Sequence, residues 1–193
     1  LTVRVFARNA SPSPVTGTLK GQAAGVSFQK EVTLAGGETR EIAIGPKDVP
    51  ALAVANPKLW WPAQYGEPVL HDLDMELAVD GATSDRAHAK FGIREITAEL
   101  AKSGLVYKVN GRNILVRGAG WTSEMMLRYS PERYEQEIAY VKDMGLNTIR
   151  LEGKLEAEPF FDVTDREGIA HHRHPEQLPG TAARPRSPRL PRR

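Results

Sequence analysis

The 193-residue chain has no cysteine, which excludes a disulfide framework, a thiolate metal site and a cysteine nucleophile. It has no run near the roughly 18 apolar residues that a membrane helix needs, so no membrane partner is expected. Aromatics are scarce at 7%, yet Trp60, Trp61 and Tyr65 crowd into six residues. A strand-like alternation is already under way at Leu1, so no signal peptide is visible within the chain. One lost with the true N-terminus is left open, and so is the compartment. The net charge of +2 hides an asymmetry. Residues 171–193 hold six Arg, one Glu and no Lys, whereas residues 1–170 hold 20 basic and 23 acidic groups. A mildly acidic body argues against a nucleic-acid partner.

What is present divides into three segments. Residues 1–95 read as an all-β, Ig-like sandwich. Leu1–Arg8 places Val3 and Val5 on one face and Thr2, Arg4 and Phe6 on the other. Val26–Leu34 and Glu38–Ile44 flank the turn Ala35-Gly36-Gly37. Val69–Val79 sets Leu73, Met75, Leu77 and Val79 against Asp72, Asp74 and Glu76, the pattern of a sheet with one wet face. Asn56–Pro68 carries three prolines and is a loop. Its aromatics either anchor that loop or form a stacking platform for a sugar ring.

Residues 96–169 change grammar. Asn110-Gly111 signals a hairpin, and a nearly apolar strand follows over Ile114–Trp121. Ser130 caps a helix, with Pro131 at its first position and Glu132 in its first turn. Tyr134, Ile138 and Val141 form its buried stripe, and Gly145 ends it. A second strand covers Asn147–Leu151, and a second helix runs from Pro159 through Phe160 and Phe161 to Gly168. Strand, helix, strand, helix is the order of a parallel sheet. Residues 170–193, with five Pro and six Arg from His171 onward, predict disorder. The abrupt break at Ala170-His171-His172, where a third strand is due, suggests an out-of-frame readthrough. His171, His172 and His174 could clip a metal only with a fixed frame that such a tail lacks, so no metal site is expected.

Phe91-Gly92-Ile93-Arg94-Glu95, Val109-Asn110-Gly111, Val116-Arg117-Gly118-Ala119-Gly120-Trp121 and Asn147-Thr148-Ile149-Arg150-Leu151-Glu152 resemble glycoside hydrolase family 2. Within that family, Leu127–Glu132 and Arg150–Glu156 are similar to the exo-β-D-glucosaminidase branch. The resemblance implies an Ig-like sandwich followed by the first βα units of an incomplete (β/α)8 TIM barrel. It also implies a fragment of a longer, secreted, retaining hydrolase of O-glycosyl bonds in chitosan oligosaccharides. The partner is then a glucosamine-containing oligosaccharide, with no cofactor. Two alternatives stay open: a β-mannosidase-type fragment, and a non-catalytic Ig-like module that binds carbohydrate or a partner.

In a TIM barrel, function gathers at the carboxyl ends of the strands. The resemblance there implies that Trp121 walls a sugar site, that Glu124 and Glu152 hold hydroxyl or amino groups, and that Arg150 stands beside them. A carboxylate against an ammonium suits glucosamine, since a charge-assisted hydrogen bond is about twice as strong as a neutral one. Arg150 equally fits an ion pair, and Glu152 a loop hydrogen bond. Glu156, Glu158 and Asp162 read as a solvated helix start favoured by the helix dipole. His71 and His88 read as structural. Retaining enzymes need two carboxyl groups about 5–5.5 Å apart. The family draws them from the fourth and seventh barrel strands, so no catalytic residue is expected in this chain.

Overall fold

The computed structural model describes residues 1–102, 104–153 and 155–172, the side chain of His172 excepted. It divides into two units, Leu1–Trp60 with Val69–Arg94, and Trp61–Pro68 with the residues from Glu95 onward.

In the first unit, β1 (Val3–Arg8) pairs antiparallel with β4 (Thr39–Ile44), from Val3↔Ile44 to Arg8↔Thr39. A second sheet takes the order β3-β2-β5-β6 from β2 (Val15–Ala23), β3 (Val26–Leu34), β5 (His71–Val79) and β6 (Ala82–Phe91). Side chains alternate as a strand requires: Val3 and Ala7 are buried, Val5 is half-buried, and Arg4 and Phe6 are exposed. Val3, Ile42 and Ile44 of one sheet share a cluster with Leu19, Phe28, Val32 and Met75 of the other. Two antiparallel sheets over one apolar layer make a β-sandwich.

The wet face of β5 carries a ladder of polar pairs across to β6. Lys90 pairs with Asp72 at 2.6 Å, His88 with Asp74 at 2.8 Å and Arg86 with Glu76 at 3.1 Å. The alternation slips at the end of β5. Met75 is buried and Leu73 and Leu77 pack against the core, but Ala78 rather than Val79 is buried. The β5–β6 register shifts between Leu77 and Ala78, and a register shift re-aims side chains locally.

Trp60 is fully buried and donates its backbone N–H to the Ile93 carbonyl at 2.9 Å. The Arg94 guanidinium lies over its ring at 4.2 Å, a cation–π contact. A Cβ on Gly92 would come within 2.7 Å of Trp60. Phe91-Gly92-Ile93-Arg94 is therefore shaped around one indole, and this aromatic is an anchor rather than a sugar platform.

Among the described residues the second unit has two three-stranded sheets. A meander joins β7 (Ile96–Ala101), β8 (Gly104–Val109) and β9 (Arg112–Ile114). Its second turn is Asn110-Gly111, with φ of 50° and 77°, the left-handed pair of a type I′ hairpin. The parallel sheet has the order β10-β11-β12, from β10 (Gly118–Trp121), β11 (Thr148–Leu151) and β12 (Ala170–His172). The helices α1 (Pro131–Asp143) and α2 (Glu158–Glu167) connect its strands. Ser130 caps α1 by accepting from the Arg133 N–H at 3.3 Å, and α2 ends at the left-handed Gly168.

Two expectations change here. The apolar run Ile114–Trp121 is not one strand: residues 115–117 lie between β9 and β10. Leu115 and Val116 are exposed. Ala170–His172 does form a third parallel strand, pairing Thr148↔Ala170 and Arg150↔His172. Parallel pairing is set by backbone groups, so polar side chains do not forbid it. The expectation of a disordered, out-of-frame tail over residues 173–193 falls outside the described residues. Among the described residues the parallel sheet is open, as the first part of a barrel would be.

Candidate sugar site at the strand ends

Residue parity splits the carboxyl end of the parallel sheet into two faces. Ile149 and Leu151 of β11 point to the helices and join Ile138, Val141, Phe160 and Ile169 in a closed cluster. Thr148 and Arg150 take the opposite face, and Glu152 continues their row. Beside them β10 offers only Gly118 and Gly120. A Cβ on Gly120 would lie 2.8 Å from Glu152 Oε1. A side chain at this position would push the carboxylate out of its present place. Arg150 donates to that oxygen through Nε at 2.9 Å and through its terminal nitrogen. Both side chains remain accessible.

Trp121 stands on the helix side. Its ring packs 5.0 Å from Phe160, and its Nε1–H donates to Glu156 Oε1 at 3.0 Å. The Tyr134 hydroxyl donates to Glu156 Oε2 at 2.8 Å. Burial together with the Glu156 carboxylate holds the Tyr134 phenol well above its ordinary pKa. Glu156 is thus buried and doubly bonded, not part of a solvated helix start. Glu158 and Asp162 are exposed as expected. The signal available in the sequence was the position of Glu156, two residues before the helix and away from its outer face.

Glu124 sits in the loop after β10. Its side chain accepts from the Arg128 N–H at 3.0 Å, with the Arg128 guanidinium 3.8 Å away. That backbone hydrogen bond, helped by the Arg128 charge, holds its carboxyl below the usual range. Trp121, Glu124 and Glu156 line a cavity of about 380 Å³ with Tyr134, Arg133 and Glu137. The four sequence candidates therefore fall into two pairs: Arg150 with Glu152 on the helix-free face, and Trp121 with Glu124 at this cavity. Glu152 N–H donates to the Trp121 carbonyl at 2.9 Å and links the pairs through backbone.

Asn147 is a further residue that sequence reasoning passed over. It is fully buried. Its Nδ2 donates to the Leu115 carbonyl at 3.0 Å, and its Oδ1 accepts from Arg117 N–H at 3.0 Å and Thr148 Oγ1 at 2.9 Å. Its backbone carbonyl accepts from Ala170 N–H at 2.9 Å. It thereby ties residues 115–117 to the last two strands. Among the described residues no group of three or more His, Asp or Glu is placed to hold a metal ion.

Residues 1–94 match the family model of glycosyl hydrolases family 2. An exo-β-D-glucosaminidase from Streptomyces avermitilis is 42% identical over 170 residues, covering 88% of this chain and 19% of the relative. The crystal structure of an exo-chitosanase from Amycolatopsis orientalis superposes with a TM-score of 0.79 at 37% identity, over 88% of this chain and 20% of that one. A mannosylglycoprotein endo-β-mannosidase from Lilium longiflorum is 35% identical over 143 residues, 68% of this chain and 15% of the relative. The chain spans 15–20% of the length of these relatives. With residues 1–94 matching the family model and 170 residues aligning at 42% identity with an exo-β-D-glucosaminidase, the chain belongs to glycosyl hydrolase family 2.

Proposed function

We propose that the chain supplies part of the sugar site of a retaining exo-β-D-glucosaminidase acting on chitosan oligosaccharides. The observation that carries this reading is the Arg150–Glu152 pair on a glycine floor at the carboxyl ends of parallel strands. Such ends are where barrel enzymes place substrate. Glu152 keeps one oxygen for Arg150 and offers the other to a ligand ammonium, with Arg150 holding the carboxylate in place. Trp121 takes a framing role, since its ring faces the helices, and Glu124 approaches the sugar from the loop after β10. Protonation of the leaving group and formation of a glycosyl-enzyme need two further carboxyl groups. The family places these on later barrel strands.

The test is a titration of the ¹⁵N-labelled chain with glucosamine and with mannose. Glucosamine should shift the amides of Arg150 and Glu152, and Glu152→Gln should remove that response. Equal shifts with mannose would favour the β-mannosidase-type reading, which the 35%-identical endo-β-mannosidase supports. Silence with both sugars would oppose the sugar site. The chain alone should release no chromophore from a chromogenic β-glucosaminide, and inhibitor-sensitive turnover would show that the catalytic pair lies within it.

A further inference from the structure

Glu156 is a buried carboxylate that the proposed reaction leaves without a task. Its residue is 7% exposed, and among the described residues no Lys, Arg or His pairs with it. Burying a carboxylate without a countercharge is costly unless its oxygens are hydrogen-bonded. Here each oxygen accepts one bond, Oε1 from the Trp121 indole at 3.0 Å and Oε2 from the Tyr134 hydroxyl at 2.8 Å. An indole N–H is a donor only, so Trp121 is aimed by its acceptor.

Those two bonds join three segments: the end of β10, the first turn of α1, and the loop between β11 and α2. The connection then runs on. The Trp121 carbonyl accepts from Glu152 N–H at 2.9 Å, and the Glu152 carboxylate accepts from Arg150. A shift of the indole would carry its backbone, and with it the amide that sets where the Glu152 side chain leaves the chain. We propose that Glu156 is a positioning residue, a buried clamp that fixes Trp121 and thereby the placement of Glu152. The proposal rests on the reading of Glu152 as a sugar contact, but the clamp is measurable without any sugar.

Nuclear magnetic resonance of the full 193-residue chain tests it. The three tryptophans give three indole N–H signals, and Trp121→Phe identifies one by its loss. In Glu156→Leu the Trp121 indole signal should move upfield and its proton should exchange roughly tenfold faster. That factor follows from the net worth of a hydrogen bond to a charged group. The Glu152 amide should move with it. Glu156→Gln keeps one carbonyl acceptor and should restore slow exchange, a rescue that mere loss of volume would not predict. Tyr134→Phe, which leaves Oε1 untouched, should keep the indole bound and covers the case in which Glu156→Leu fails to fold. An indole signal unmoved in Glu156→Leu, or fast indole exchange in Tyr134→Phe, overturns the clamp. An indole that moves while the Glu152 amide stays still overturns the link to Glu152. Glucosamine added to the same samples reports separately on the sugar site. Silence there with the indole response intact sinks the functional reading and leaves the clamp standing.

Discussion

The sandwich and the βα unit bury apolar side chains with different reach along the chain. In the sandwich, a hairpin such as β2–β3 aligns nine pairs of residues from Val15↔Leu34 to Ala23↔Val26. The opposing pair β1–β4 closes over it, so both sheets contribute to one cluster. In the second unit, only the helix side of the parallel sheet is closed, by α1 and α2. The meander β7-β8-β9 leaves Ile96 56%, Leu100 87% and Leu105 53% exposed. Antiparallel sheets tolerate one wet face, whereas parallel sheets are found with both faces covered. These exposed residues set the antiparallel meander apart from the closed cluster on the helix side of the parallel sheet.

The sharpest way to break this contrast is to hollow out the helix-side core. Phe160→Ala should cost about 3–5 kcal/mol, since the ring is fully buried among Trp121, Tyr134 and Phe161. Loss of amide protection at Tyr134 and Ile149 in hydrogen exchange checks it, and retained protection would show that the cluster is not the unit's core. Asn147→Leu should cost about 1–3 kcal/mol for each group it strands, namely the Leu115 carbonyl and the Arg117 N–H. Denaturant melts monitored by the single-residue signals of β11 measure it.

A smaller effect concerns pH. Glu167 is held below the usual carboxylate range chiefly by its hydrogen bond from Lys142, with Arg166 also beside it. A lowered folded pKa stabilises above the unfolded value, near 4.5, and that contribution is lost as the pH falls through the folded value. Glu167→Gln should therefore flatten stability against pH on the acid side by less than about 1 kcal/mol, because the pair is partly exposed. Melting temperature against pH for both proteins reads this out. Leu100→Lys should change stability by no more than about 0.5 kcal/mol, since an exposed side chain loses little on replacement. It should reduce self-association in sedimentation experiments. A large loss of stability instead would mean that the meander's apolar face is covered within this chain.

Local chemistry was legible in particular residues. Ser130-Pro131-Glu132 announced α1, Asn110-Gly111 announced a hairpin, and Asp72, Asp74 and Glu76 announced the wet face of β5. The ladder to Lys90, His88 and Arg86 was passed over, although these residues alternate with Phe91, Ala89 and Ala87, because the register that sets each opposite its acid exists only once β5 and β6 pair. Ala82–Phe91 is exposed nearly throughout, and its alanines give the apolar side of that alternation too little bulk to stand out. Trp60 and Trp61 are neighbours with one local pattern, yet Trp60 goes with the sandwich and Trp61 with the other unit. Proximity in sequence carries no information about which core a side chain joins.

The candidate site shows the same division. Residue types at the ends of β10 and β11 were visible, and so was their suitability for a sugar amine. That Arg150 and Glu152 face away from Trp121 depended on strand parity, which a two-residue slip in the start of β10 would leave unchanged but a one-residue slip would reverse. The broken run 115–117 fixed that phase, and the buried Asn147 holds the break in place.

By itself the sequence determined the start of α1, the end of α2 and the Asn110-Gly111 hairpin, because caps, turn residues and side-chain period act over a few neighbouring residues. It also determined the family, through motifs that stand at fixed spacings. Only the tertiary structure decided that Glu156 is a buried acceptor, that Gly120 makes room for Glu152, and that Ala170–His172 pairs as a third strand. Each of these rests on groups from different segments, Trp121 with Glu156, Gly120 with Glu152 and Arg150 with His172. Their energies come from desolvation and close packing, which exist only once the segments meet.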